Sequence, residues 1–203
     1  MKIVIVCDSF KESLSSLAVA EEVEAGFRAV FPAVECISLP VADGGEGTVD
    51  ALVHATAGQF RLHDVTGPMG ECVQARYGVL GDGQTAVIEM AAVAGLDLVP
   101  RALRDPRIAT TFGLGQLILH ALDSGCRRFI LGLGGSATND GGAGMAQALG
   151  VRLLDQNEQE LPRGGAALQA LARIDTSALD PRLGECVFEI ACDVDNPLTG
   201  EHG

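Results

Sequence analysis

A chain of 203 residues that is 47% hydrophobic and 20% charged can bury a core in one large or two small domains, which excludes a disordered segment. Its net charge of −13, from 27 acidic against 14 basic residues, argues against a nucleic-acid or anionic-membrane partner and requires any site for an anionic substrate to concentrate its few Lys and Arg locally. The first apolar run, residues 3–7, is too short for a signal-peptide core or a membrane span, so a cytoplasmic location is expected.

In chain order, residues 2–7 read as a buried strand. Ser15 and Ser16 open a helix that carries Ala20, Val23, Phe27, Val30 and Phe31 on one face until Pro32 stops it. Residues 34–39 form a second strand, followed by a glycine-rich acidic loop over 40–48 and a helix that runs to Ala57 with Gly58 as its stop. This order predicts a parallel sheet with its functional loops at the carboxyl ends of the strands. The middle differs: residues 60–65, 73–80 and 85–90 are strand-like and are separated by the hairpin signals 67–70 and 81–84. Antiparallel structure is therefore expected there, with a boundary between residues 58 and 66. A helix over about 115–124, a strand over 128–131, a helix near Ala143, a strand over 151–154 and a strand over 187–192 complete the pattern. No internal repeat or low-complexity segment occurs.

The loop after the 128–131 strand carries glycine at 132, 134, 135, 141 and 142, hydroxyls at Ser136 and Thr138, and an acid at Asp140. Glycine lets backbone N–H groups approach an anion and take φ > 0, so this loop can cradle a phosphate. A carboxylate beside a phosphate repels it unless a cation such as Mg²⁺ lies between, which makes Asp140 a candidate metal ligand. A second reading is open: Gly132, Gly134 and Ala137 fit the dinucleotide pattern G-x-G-x-x-G/A, and Asp155 follows at about the 20-residue distance of a ribose-binding acid, as in an NAD-dependent dehydrogenase. Against it, Asn139 to Gly142 interrupt the place where that helix should be running. No G-x-x-x-x-G-K-[ST] is present, which excludes a Walker P-loop.

The six cysteines, at 7, 36, 72, 126, 186 and 192, contain no C-x-x-C pair, and His54, His63, His120 and His202 are scattered, so neither structural zinc nor a disulfide framework is expected. Acids instead recur just past apolar runs, at Asp8, Asp43 and Asp193 with Asp195. Loops of a parallel sheet gather ligand groups at such positions.

The segments DSFKESLSS (8–16), PVADGGEGT (40–48), AVIEMAAVAGL (86–96), GLGGSATNDGGAGMAQALG (132–150) and ACDVDNPLTG (191–200) resemble, in order and spacing, the signature blocks of the bacterial type I glycerate kinases. The glycine loop is also similar to the G-L-G-S-S-A of the galactokinase and homoserine-kinase group. The glycerate kinase resemblance implies an α/β fold of two lobes, with residues 1–65 the N-terminal part of a flavodoxin-like lobe of parallel sheet and 66–203 a second, mixed restriction-enzyme-like lobe. It implies ATP-dependent phosphorylation of D-glycerate to 2- or 3-phosphoglycerate.

On that resemblance Lys11 contacts the phosphates or the substrate carboxylate. Ser9, Gly44, Gly45, Gly134, Gly135, Ser136, Thr138 and Asn139 bind substrate or phosphate, and Asp140, Asp195 and Asp8 hold Mg²⁺. Asp193 is the favoured base, with Asp43 the alternative. Two departures stand out. Glu12 replaces the family's glycine in the first block, and family members are close to twice as long, which implies that the part closing the cleft is missing and that the isolated chain is inactive or self-associated. A small-acid binding module without catalysis is then a further reading.

Overall fold

In the computed structural model of the chain, all residues are described except 9, 11, 12, 42–44, 46, 193–196, 198, 202 and 203. Strands β1 (Lys2–Cys7) and β2 (Glu35–Pro40) pair in parallel, with Ile3 opposite Cys36 and Val6 opposite Leu39. Helix α1 (Ser16–Val30) makes the crossover between them. It starts where the Ser15 hydroxyl accepts the Ala18 N–H at 3.2 Å, an N-cap of the kind that satisfies one of the four orphan donors of a helix start. It ends just ahead of Pro32. The apolar face expected for α1 is buried only in part: Val19 and Ala20 are covered, whereas Val30 is 69% exposed and Phe31 47%. The reason is width, since α1 rests mainly on these two strands. Parallel strands are normally covered on both faces, yet Val4, Val6 and Leu39 on the face opposite α1 are also exposed.

Helix α2 (Thr48–Ala55) lies against a second, larger sheet. That sheet runs β3 (Gln59–Thr66), β4 (Cys72–Val79), β5 (Thr85–Glu89), β6 (Arg128–Gly132) and β9 (Val187–Ala191). The pairs β3·β4 and β4·β5 are antiparallel, as the hairpin signals predict, and β5·β6 and β6·β9 are parallel. A short antiparallel pair, β7 (Arg152–Leu154) with β8 (Arg173–Asp175), stands apart. Because β3 pairs along its whole length with β4, the change of sheet falls between β2 and β3, and a division at residue 65 would pass through a strand.

Every residue of β5 is buried, as a central strand with a helix on each face should be. Helix α4 (Phe112–Asp123) covers one face, where Tyr77, Ile88, Leu117, Ile118 and Phe129 form the main core. Helix α2 covers the other with Val49 and Val53 against Val87. Gly78 makes that second contact possible, because a Cβ there would strike Val53. Each fully buried aliphatic side chain of this kind contributes about 1.5–3 kcal/mol. Among the described residues no helix is long and apolar enough to cross a membrane.

Candidate active site

Strands β5 and β6 end side by side, with Glu89 paired to Gly132 and the Met90 N–H donating to the Gly132 carbonyl at 2.8 Å. From this common edge two segments leave together. One is the short helix α3 (Ala91–Ala94) and its continuation to Leu96; the other is the glycine-rich loop that follows β6. They are stitched to each other: Leu96 N–H donates to Gly135 O at 2.9 Å, Ala137 N–H donates to Ala94 O at 2.8 Å, and Gly95 bridges Ser136. Gly135 takes φ +70° and comes within reach of the Ala91 methyl, where an added Cβ would stand 3.3 Å away. The stitching consumes the Ala137 N–H. No described residue accepts from the N–H groups of Gly134, Gly135, Ser136, Thr138 or Asn139. The Ser136 and Thr138 hydroxyls lie 3.2 Å apart on the same loop. A cluster of unspent backbone donors on exposed and half-buried residues, with two hydroxyls, is what an anion of several oxygens requires.

Asp140 has a different task from the metal ligation expected of it. It is 1% exposed. Its carboxylate accepts from Thr111 N–H at 2.9 Å, from the Thr111 hydroxyl, from Gly142 N–H at 3.1 Å and from Gly144 N–H at 3.1 Å. Thr111 Oγ1 in turn accepts the Met145 N–H at 2.9 Å. These donors occupy the oxygens that a cation would need, so Asp140 ties the start of α4 to the start of α5 (Ala143–Ala148) and fixes the exit of the loop. Among the described residues no group of three His, Cys, Asp or Glu is placed to hold a metal ion.

A second approach to the same edge comes from α2. Gly47, at φ +92°, precedes the helix, the Thr48 hydroxyl donates to Gly45 O at 2.8 Å, and the Val49 N–H donates to the Glu89 carboxylate at 2.7 Å. Glu89 is 8% exposed. It therefore joins the end of the 40–48 loop to the strand end beside Gly132, a role that sequence reading did not assign although the residue lies within the 86–96 block. The available signal was an acid closing an otherwise apolar strand.

The exits of the other expected loops are placed by their described neighbours. Val41 N–H donates to Cys7 O at 3.3 Å, which places the exit of β2 beside exposed Asp8, and Leu133 N–H donates to Ala191 O at 3.4 Å, which places the exit of β9 beside the glycine loop. Ser9, Lys11, Asp43, Gly44, Asp193 and Asp195 lie outside the described residues. The dehydrogenase reading fails on topology. Asp155 follows β7, which pairs with β8 outside the five-stranded sheet, and its carboxylate closes a turn by accepting the N–H groups of Asn157 at 2.8 Å and Gln159 at 2.9 Å.

Residues 3–203 match the model of the glycerate kinase family. The chain is 58% identical over its full 203 residues to the glycerate 2-kinase of Escherichia coli K12, of which it covers 53%. It is 61% identical to the glycerate kinase of Bacillus subtilis 168, again over 203 residues and 53% of that protein. A crystal structure assigned to glycerate kinase 2 of Salmonella typhimurium LT2 superposes with a TM-score of 0.89 at 57% identity, covering 100% of this chain and 55% of that one. The chain thus spans about half the length of the curated relatives it matches.

Proposed function

We propose that this chain, which belongs to the glycerate kinase family, binds ATP and D-glycerate and takes part in transfer of the γ-phosphoryl group to a glycerate hydroxyl, giving phosphoglycerate. The observation that carries the reading is the set of unspent N–H groups at Gly134, Gly135, Ser136, Thr138 and Asn139, placed where the carboxyl ends of β5, β6 and β9 meet. Phosphoryl transfer needs little covalent help from a protein. It depends on holding donor and acceptor in line and on neutralising charge.

In this reading the N–H groups of Gly134, Gly135, Ser136, Thr138 and Asn139 hold phosphate oxygens, with the Ser136 and Thr138 hydroxyls assisting. Ser9, Lys11, Gly44 and Gly45 bind the substrate or the phosphates. Asp193 takes the proton of the attacking hydroxyl, and Asp43 is the alternative base. Mg²⁺ would enter with the nucleotide and supply charge neutralisation; the carboxylates proposed for it are Asp8 and Asp195, because Asp140 is committed to backbone donors. The chain is proposed to work in the cytoplasm, with small molecules as its ligands.

Ligand-dependent unfolding tests this directly. ATP with Mg²⁺, and D-glycerate, should each raise the unfolding temperature, since a ligand at about 100 times its Kd stabilises by about 2.7 kcal/mol. NAD⁺ should not. A shift with NAD⁺ alone, or glycerate-dependent NADH formation without ADP release, overturns the kinase reading.

A further inference from the structure

In so acidic a chain, most of the described arginines are spent on carboxylates, as in the pairs Arg76 with Asp50, Arg107 with Asp105 and Arg182 with Asp180. Among the described residues Arg61, Arg101, Arg104 and Arg163 have no ion-pair partner, and three of these four flank the glycine loop. Arg101 and Arg104 lie in the segment between Leu96, bonded to Gly135, and Thr111, bonded to Asp140. Arg104 is braced internally, giving Nε to Val99 O at 3.1 Å and Nη2 to Leu96 O at 3.0 Å.

Arg163 is held differently. Its guanidinium carbon stands 3.4 Å from the centroid of the Phe112 ring, on the first residue of α4 and next to Thr111. The backbone just beyond it is fixed on both sides. Gly164, at φ +100°, crosses Ile108, Gly165 packs on the Asn139 carbonyl too closely for any Cβ, and Ala166 N–H donates to Arg107 O at 2.9 Å. Arg163 thus stands two residues before the glycine that packs on Asn139, and its guanidinium lies on the ring next to Thr111, which is bonded to Asp140 at the exit of the loop. A guanidinium that spends its flat face on an aromatic ring keeps its N–H edge for a planar or tetrahedral oxyanion, and stacking removes much of the side-chain freedom that binding would otherwise cost.

We propose that Arg163 is a recognition residue for an anionic oxygen group, phosphate or carboxylate, of the ligand seated on the 133–142 loop. For the identity of that ligand, nucleotide or glycerate, the proposal rests on the kinase reading; for the chemistry recognised, it rests on the placement of Arg163 alone.

The test is calorimetric titration of the wild type, Arg163→Gln and Arg163→Lys with inorganic phosphate, Mg²⁺–ATP and D-glycerate. Arg163→Gln should weaken Mg²⁺–ATP or D-glycerate binding by about tenfold or more, and the ligand affected tells phosphate from carboxylate recognition. Arg163→Lys should recover only part of the loss, because an ammonium has no planar fork. The side chain is exposed, so the unfolding temperature should stay within about 2 °C of the wild type. Phe112→Leu, which releases the guanidinium, should weaken the same ligand. Binding within twofold of the wild type for every ligand in Arg163→Gln overturns the proposal, as does an equal loss for all ligands accompanied by a fall in unfolding temperature, which would make Arg163 a packing residue. A wild type that binds phosphate in an Arg163-dependent way but neither Mg²⁺–ATP nor D-glycerate sinks the kinase reading and leaves Arg163 standing. No binding of any of the three overturns both.

Discussion

Asp140 and Thr111, 29 residues apart, together cap α5 from the start of α4: the carboxylate accepts the Thr111 N–H at 2.9 Å and the Gly144 N–H at 3.1 Å, and the Thr111 hydroxyl donates to that carboxylate while accepting Met145 N–H at 2.9 Å. Removing the acid leaves the N–H groups of Thr111, Gly142 and Gly144 without an acceptor, and Thr111 and Gly144 are buried. Each buried orphan costs about 1–3 kcal/mol, so Asp140→Ala is expected to destabilise by about 3 kcal/mol or more. Asp140→Asn should fall between, since its amide NH₂ opposes donors. Thermal unfolding without added metal measures this. Unchanged stability together with lost Mg²⁺-dependent ligand binding would return Asp140 to a metal site.

Gly135 and Gly141 separate the binding role of the loop from its backbone strain. Both take positive φ, +70° and +60°, where alanine costs about 1–2 kcal/mol. Only at Gly135 would the new methyl also crowd a neighbour, Ala91, on the side where the loop is stitched to α3. Gly135→Ala is therefore expected to weaken Mg²⁺–ATP binding by about tenfold and Gly141→Ala to leave it nearly unchanged, with similar small losses of stability in both. Equal binding by the two variants would remove the loop geometry from recognition.

Glu89 predicts a local effect at α2. In Glu89→Ala the Val49 N–H loses its acceptor, and amide exchange at Val49 should rise at least about tenfold, for a loss of 1.4 kcal/mol or more. Glu89→Gln keeps an oxygen at the same reach and should restore most of the protection. Identical exchange in the wild type and Glu89→Ala would show that the rest of the sheet, rather than this carboxylate, holds the helix start.

His63 makes stability depend on pH. Its imidazole lies between Tyr77 of β4, at 5.9 Å, and His120 of α4, at 3.8 Å between ring centroids. Burial, then the His120 charge, then Arg61 on its own strand hold its pKa below the usual 6.5, and Asp64 opposes them. The proton therefore binds better to the unfolded chain. The stabilising contribution is complete above the unfolded value near 6.5 and is lost as the pH falls from there through the folded value. His63→Phe should flatten that acid limb of the stability profile measured by urea unfolding. A limb of unchanged slope would assign the effect to other groups.

Local chemistry made much of this molecule legible from its sequence alone. Alternating and continuous apolar runs located β1 through β6 to within a residue or two, Ser15 and Pro32 marked the ends of α1, and the turn residues at 67–70 and 81–84 announced the antiparallel hairpins, because each of these signals acts over a few neighbouring residues. The five motif blocks identified the family for the same reason. Long-range contacts decided the rest. An acid in a glycine loop suits a cation or a helix start equally well, and only the arrival of Thr111 selected the second for Asp140. Glu89 looked like the end of a strand until Val49 met it from 40 residues away. Asp155 had the spacing of a ribose ligand but follows a strand of a different sheet, and the apolar face of α1 rests mainly on two strands that cover it in part. Spacing along the chain sets which groups can be near one another; the pairing of strands and the packing of helices determine which donors and acceptors meet, and with them the charge each side chain is left to offer a ligand.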